Sequence, residues 1–133
     1  MKKITKGFTL VELIVVVIII GILVAIAVPA FLKTQERAFD KDAIASLKLI
    51  QAAEKIYRQE TGFYYPPTGS ETDPSNINTF LKLSLPKDAT RKWNYSVDST
   101  GSGSMGRTDT GTSRTWALPI TDEEPGCSGT SCP

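Results

Sequence analysis

The sequence predicts an α+β fold. A single long N-terminal α-helix, apolar in its first half and amphipathic in its second, carries a small antiparallel sheet of about three strands and one short extra helix. Three observations lead there. Twenty residues from Leu13 to Leu32 contain no charged side chain. From Phe39 to Tyr57 apolar residues recur at three- and four-residue steps, the period of one helical face. The last third is rich in Gly, Ser and Thr and holds short alternating runs, the pattern of strands and turns. A chain of 133 residues falls within the size of one domain.

The first element is the uncharged run. As a helix its twenty residues span roughly 30 Å, the hydrocarbon thickness of a bilayer. It is apolar on every face, which favours a membrane span over the core helix of a globular domain. Lys2, Lys3 and Lys6 precede it, so the N-terminus is expected in the cytoplasm and the body outside. A secretory signal peptide has a shorter apolar region ended by a small-residue cleavage site. Here the run flows unbroken into more helix.

Beyond Lys33 the pattern becomes amphipathic. Phe39, Ala43, Leu47, Ile50, Ala53 and Tyr57 form one stripe, with Ala45, Leu49, Ala52 and Ile56 beside it, while Lys41, Lys48, Glu54, Lys55 and Arg58 form the polar face. The helix is expected to end near Glu60, at the Thr61-Gly62 stop signal. Residues 8–32 are then a membrane-anchor helix, 33–60 its amphipathic continuation, and 61–133 the remainder of a head that covers both stripes. From Phe8 to Glu60 such a helix runs about 80 Å, too long for an isolated globular domain.

Thr68 to Pro74 is rich in turn formers and reads as loop. Ser75 or Asn76 then caps a short helix to about Leu83. Trp93-Asn94-Tyr95-Ser96-Val97 alternates as a strand, Asp98 to Gly106 reads as a turn or longer loop, Arg107 to Thr110 as a weak polar strand, and Arg114 to Ile120 as another strand.

Composition excludes several functions. There is no histidine, no phosphate-binding glycine loop and no nucleophile elbow. No catalytic residue, metal site or cofactor is therefore assigned. Subtracting the three leading lysines from the formal charge of +1 leaves −2, which does not imply a nucleic-acid-binding body; no small-molecule ligand is evident either. Cys127 and Cys132 are the two cysteines. Outside the cytoplasm a disulfide is the default, and the rival, a redox or metal pair, lacks C-x-x-C spacing and further ligands. Asp122, Glu123 and Glu124 offer carboxylates for calcium, but adjacent acids more often form a solvated turn.

The stretch Lys6-Gly7-Phe8-Thr9-Leu10-Val11-Glu12-Leu13 resembles the class III leader junction of type IV pilins and type II secretion pseudopilins. The likeness covers about the first third of the chain, including Pro29. It implies that residues 1–7 are a leader, that a prepilin peptidase cuts between Gly7 and Phe8, and that Phe8 becomes N-methylated. It also implies that the apolar helix first anchors the precursor in the inner membrane and then forms the core of a helical filament of identical copies, built by inner-membrane assembly machinery and displayed at the surface. A carboxylate near an apolar boundary is costly without a partner. The new amine of Phe8 lies one helical turn from Glu12, and in a bundle Glu12 of one copy meets the amine of a neighbour, which would set the register. Gly21 and Pro29 are expected to let the helix loosen as subunits pack. Thr61-Gly62-Phe63-Tyr64-Tyr65-Pro66-Pro67 resembles the Gly-aromatic-Pro exit from the long helix in this family. C-terminal disulfides are common in the pilins, whereas major pseudopilins more often use calcium there, so the cysteines favour a pilus subunit over the alternative of a secretion pseudopilin. A single-span membrane-anchored binding protein is the alternative of a different class.

Overall fold

The computed structural model describes residues 7–87, 91–107, 113–130 and 132. The chain divides into two compact units, Met1–Ala38 and Phe39–Pro133, and helix α1 (Leu10–Thr61) supplies residues to both. In the first unit the described residues are almost wholly helical and, but for half-buried Glu36, exposed. Among the described residues, α1 is the one helix long and apolar enough to cross a membrane.

The second unit, the head, is built on the α1 residues from Phe39 onward. Ala43, Leu47, Ile50 and Ala53 are buried there, the stripe that the helical period predicts. The helix stops at Thr61 because Gly62 takes φ +90° and donates its N–H back to Arg58. Glycine adopts that conformation without a Cβ penalty.

After α1 come β1 (Ser70–Glu71), α2 (Pro74–Phe80), β2 (Trp93–Asp98), β3 (Gly103–Arg107), β4 (Thr115–Leu118) and β5 (Gly126–Ser128). The strands form one sheet in chain order, each antiparallel to the next. Alternation sends Trp93, Tyr95, Val97, Met105, Trp116 and Leu118 into the core with the buried stripe of α1. At Gly103 the strand passes so close to the helix that a Cβ would sit 3.2 Å from Leu47 and 3.3 Å from Ile50.

The head differs from expectation in five places. The sheet has five strands instead of about three: β1 forms inside the stretch read as loop, and β5 inside the cysteine loop. Both are short ladders on existing edges, with no alternation of their own. The strand expected from Arg107 begins earlier, at Gly103, in a stretch read as a turn, and ends at Arg107; Thr108 to Thr110 lie outside the described residues. Helix α2 is capped two residues before Ser75, by Asp73, whose carboxylate accepts the Ser75 N–H at 2.7 Å with Pro74 in the first turn. It ends at Phe80 instead of Leu83, where Lys82 turns to φ +54°. Glu54, assigned to the polar face, is fully buried. Finally, the head covers only one of the two stripes, since Ala45, Leu49, Ala52 and Ile56 remain exposed.

Candidate functional site

The N-terminal junction is organised by Thr9 and Glu12. Gly7, Phe8 and Thr9 precede the helix, and Phe8 is 77% exposed. The Thr9 backbone N–H and hydroxyl both donate to Glu12 Oε2, at 2.9 and 2.8 Å, and the Glu12 N–H donates back to Thr9 Oγ1 at 3.3 Å. This is a reciprocal capping box, which satisfies donors that a helix start otherwise leaves unpaired. The expected partner of Glu12 was an amine. In this structure Thr9 takes that place, and both bonds fall on one carboxylate oxygen, leaving Oε1 outside the box. Thr9 is the residue the sequence reading missed. Its signal was present, a threonine three positions before a glutamate at the start of an apolar run.

From Leu10 to Leu32 the large apolar side chains are between 46 and 71% exposed. Helix α1 runs without interruption through Gly21 and Pro29, and a Cβ on Gly21 would meet nothing within 4 Å. This segment is a continuous apolar surface with nothing of its own unit to cover it.

In the head, Cys127 and Cys132 form a disulfide with Cα atoms 5.9 Å apart, as the sequence led us to expect. Cys127 lies in β5 opposite Trp116, so the bridge closes the last turn of chain onto a strand of the sheet. The nearby acids are drawn toward α1: Glu124 pairs with Lys48 at 2.8 Å, and the Gln51 amide donates to the carbonyls of Pro119 and Asp122. No three His, Cys, Asp or Glu side chains converge to hold a metal among the described residues.

Two buried charged groups tie the head to α1. Asp40 Oδ1 accepts from the Arg114 guanidinium and from the Trp116 indole N–H. Further along, Glu54 Oε2 accepts the Tyr65 backbone N–H at 2.9 Å, while Oε1 is buried with no hydrogen-bond partner. Burial, and secondarily the charge of Asp98, push the Glu54 carboxyl up to about 7, although the Tyr65 N–H opposes this. Tyr65 stacks on Phe80 at 4.7 Å and meets Tyr57 edge-on. Glu54 thus fastens the exit from the long helix at its aromatic cluster.

A family model described as the prokaryotic N-terminal methylation motif matches residues 2–28, which include the Gly7-Phe8 junction and Glu12. The chain is 48% identical over 59 residues to the type IV major pilin protein PilA of Myxococcus xanthus, a match covering 44% of this chain and 27% of the relative. It is 47% identical over 51 residues to the type IV narrow pilus major component PilA5 of Thermus thermophilus, covering 38% and 44%. To the type II secretion system core protein G of Pseudomonas aeruginosa it is 33% identical over 89 residues, covering 67% and 58%. In each case the match spans less than two thirds of the relative's own length.

Proposed function

We propose, on the premise that the chain belongs to the type IV pilin and pseudopilin family, that it is a structural subunit of a type IV pilus, assembled through its apolar N-terminal helix. The observation that carries this reading is the apolar surface from Leu10 to Leu32, exposed along its whole length and preceded by the Gly7-Phe8 junction. Such a surface requires either lipid or neighbouring copies to cover it. A precursor held in the inner membrane by this span, N-terminus in the cytoplasm, meets the first need, and a helical filament of copies meets the second.

Cleavage between Gly7 and Phe8 by a prepilin peptidase, followed by methylation, leaves a cationic amine on Phe8. The capping box holds the Glu12 side chain through Oε2, so Oε1 is available to the Phe8 amine of the same or an adjacent copy. A copy offset along the axis would leave both charges unpaired among apolar side chains, which makes the pair a register device. Gly21 and Pro29 supply the points at which α1 loosens as copies crowd together. Inner-membrane assembly machinery is the remaining partner, and the chemistry needs no cofactor.

The disulfide supports the pilus over a secretion pseudopilus. The likeness to core protein G, the longest of the three matches described, favours the pseudopilus reading. N-terminal sequencing and intact mass of protein from sheared surface filaments and from membranes of the native host separate the two. N-methylated Phe8 abundant in the sheared fraction is the expected result. Processed protein confined to membranes would point to the pseudopilus, and a chain still starting at Met1 in a host with active peptidase would sink both.

A further inference from the structure

We propose that the exit from helix α1 is a pH-operated latch. Residues 63–68 stay closed over Glu54 while its carboxyl carries a proton, and they lift away from α1 once that proton is lost.

Hydrogen bonding makes Glu54 the fastening of this segment. Gly62 and Gly69 bound it with φ of +90° and +72°, and both are tied down. The Gly62 N–H donates to the Arg58 carbonyl at 2.8 Å, and the Gly69 carbonyl accepts the Ser99 N–H at 3.0 Å. Between them, Pro66 and Pro67 have no N–H to offer. Of Phe63, Tyr64, Tyr65 and Thr68, only Tyr65 places its backbone N–H on an acceptor among the described residues, and that acceptor is Glu54 Oε2 at 2.9 Å. The other holds are made by side chains. Tyr65 stacks on Phe80 and meets Tyr57 edge-on, while the Tyr64 ring lies so close to Gly101 that a Cβ there would sit 2.7 Å from it.

Glu54 is fully buried and its Oε1 has no hydrogen-bond partner. A protonated carboxyl is tolerated in such a place; an ionised one has a single hydrogen bond and no countercharge. The ionisable groups around it do not relieve this. On α1, Arg58 lies one turn on but is turned to Tyr64, donating to its hydroxyl at 2.7 Å with the guanidinium 4.7 Å from the ring centre. Lys55 beside it is exposed, and Tyr57 faces Tyr65. The Tyr65 hydroxyl reaches Glu71 of β1. From β2 comes Asp98, a like charge that adds to the cost of burial and is pinned in its own turn by the N–H groups of Thr100 and Ser102. Helix α2 carries no ionisable side chain, and among the described residues no lysine or arginine bonds Glu54. Once ionised, the carboxylate is relieved only when water reaches Oε1. The helix fixes Glu54 and the turn fixes Asp98, so the cover that moves is residues 63–68. Lifting it bares Tyr57 and Tyr65 beside Leu49, Ile56 and Phe80, which are already about half exposed. The outward apolar surface of the head therefore grows as pH rises through neutrality.

The test is amide hydrogen exchange of the full chain in detergent micelles, read at the Tyr65 amide and corrected for the base catalysis of exchange itself. With the carboxyl at about 7 in the closed head and 4.5 in the open one, protection of that amide should fall about thirtyfold between pH 5.5 and pH 8.5. Urea below the unfolding transition should leave it unchanged, because a local opening exposes little surface, whereas the amides of β3 should respond. Glu54→Gln keeps an acceptor for the Tyr65 N–H and should show no fall with pH. Equal protection at both pH values in the parent chain would overturn the proposal, whether or not the variant folds. So would a fall as large in Glu54→Gln, which would assign the titration to another group. A fall at Tyr65 that shares the urea dependence of β3 would mean that the head unfolds as a whole, with no latch. The latch belongs to the head alone, so none of these outcomes bears on the pilus reading, which the sheared-filament experiment decides.

Discussion

Helix α1 handles apolar side chains in two opposite ways. Between Leu10 and Leu32 the large ones are all exposed, whereas Ala43, Leu47 and Ile50 are fully buried beneath the sheet. The covalent geometry is the same in both halves; the difference is the source of the covering surface. The head half is amphipathic and needs one face covered, which roughly seventy further residues of the same chain can do. The first half is apolar all round, and a helix of that kind has to be enclosed by something outside itself. On the proposed filament role, stability and assembly are separable in this protein: head substitutions report on folding, and substitutions in the first half report on what surrounds it.

The largest effect expected from this division is at Asp40. Asp40→Ala strips the buried Arg114 guanidinium of this carboxylate and leaves the Trp116 N–H short of its acceptor. A cost of about 3–5 kcal/mol is expected, read as a shift in the urea midpoint of the detergent-solubilised chain by tryptophan fluorescence. An unchanged midpoint would mean that the pair does not hold the sheet to the helix.

The sharpest comparison is between two leucines on one helix. Leu47→Ala removes a fully buried side chain and should destabilise the head by about 3 kcal/mol. Leu23→Ala, at a residue 62% exposed, should leave head unfolding within about 0.5 kcal/mol of the parent while lowering filament yield. Equal effects of both on unfolding would break the division between the two halves.

A pH profile probes Glu54. Its carboxyl is raised from 4.5 to about 7, so below pH 4.5 it is protonated in folded and unfolded chains alike and imposes no penalty. As pH rises through 7 the unfolded chain holds fewer protons than the folded one, and stability on the order of 2 kcal/mol is lost. Glu54→Gln keeps an acceptor for the Tyr65 N–H and should remove that decline, so the variant gains on the parent between pH 5 and 8. Parallel profiles for the two proteins would refute the assignment.

The smallest effect is expected at the rim. Lys48 and Glu124 are 45 and 77% exposed, and Lys48→Ala should cost less than about 1 kcal/mol. Double-mutant cycles with Glu124→Ala measure the coupling directly.

Residue order by itself determined the long helix, its apolar and amphipathic halves, the buried stripe, the stop at Thr61-Gly62, the core of β2 and the likeness of the Gly7-Phe8 junction to a processing site. Each of these depends on neighbours within a turn of helix or a short strand, where side-chain period and backbone preference are local. The capping box of Thr9 and Glu12 is equally local, and the Thr-x-x-Glu spacing that forms it stands in the sequence. Tertiary structure alone decided the rest. Glu54 sits on what looks like a polar face, and only the return of Tyr65 across α1 buries it. Strands β1 and β5 carry no apolar alternation and exist because β2 and β4 offer free edges to pair with. The second stripe, with Leu49 and Ile56, has the pattern of a core face yet stays bare, because the single sheet formed by the described residues reaches one side of the helix.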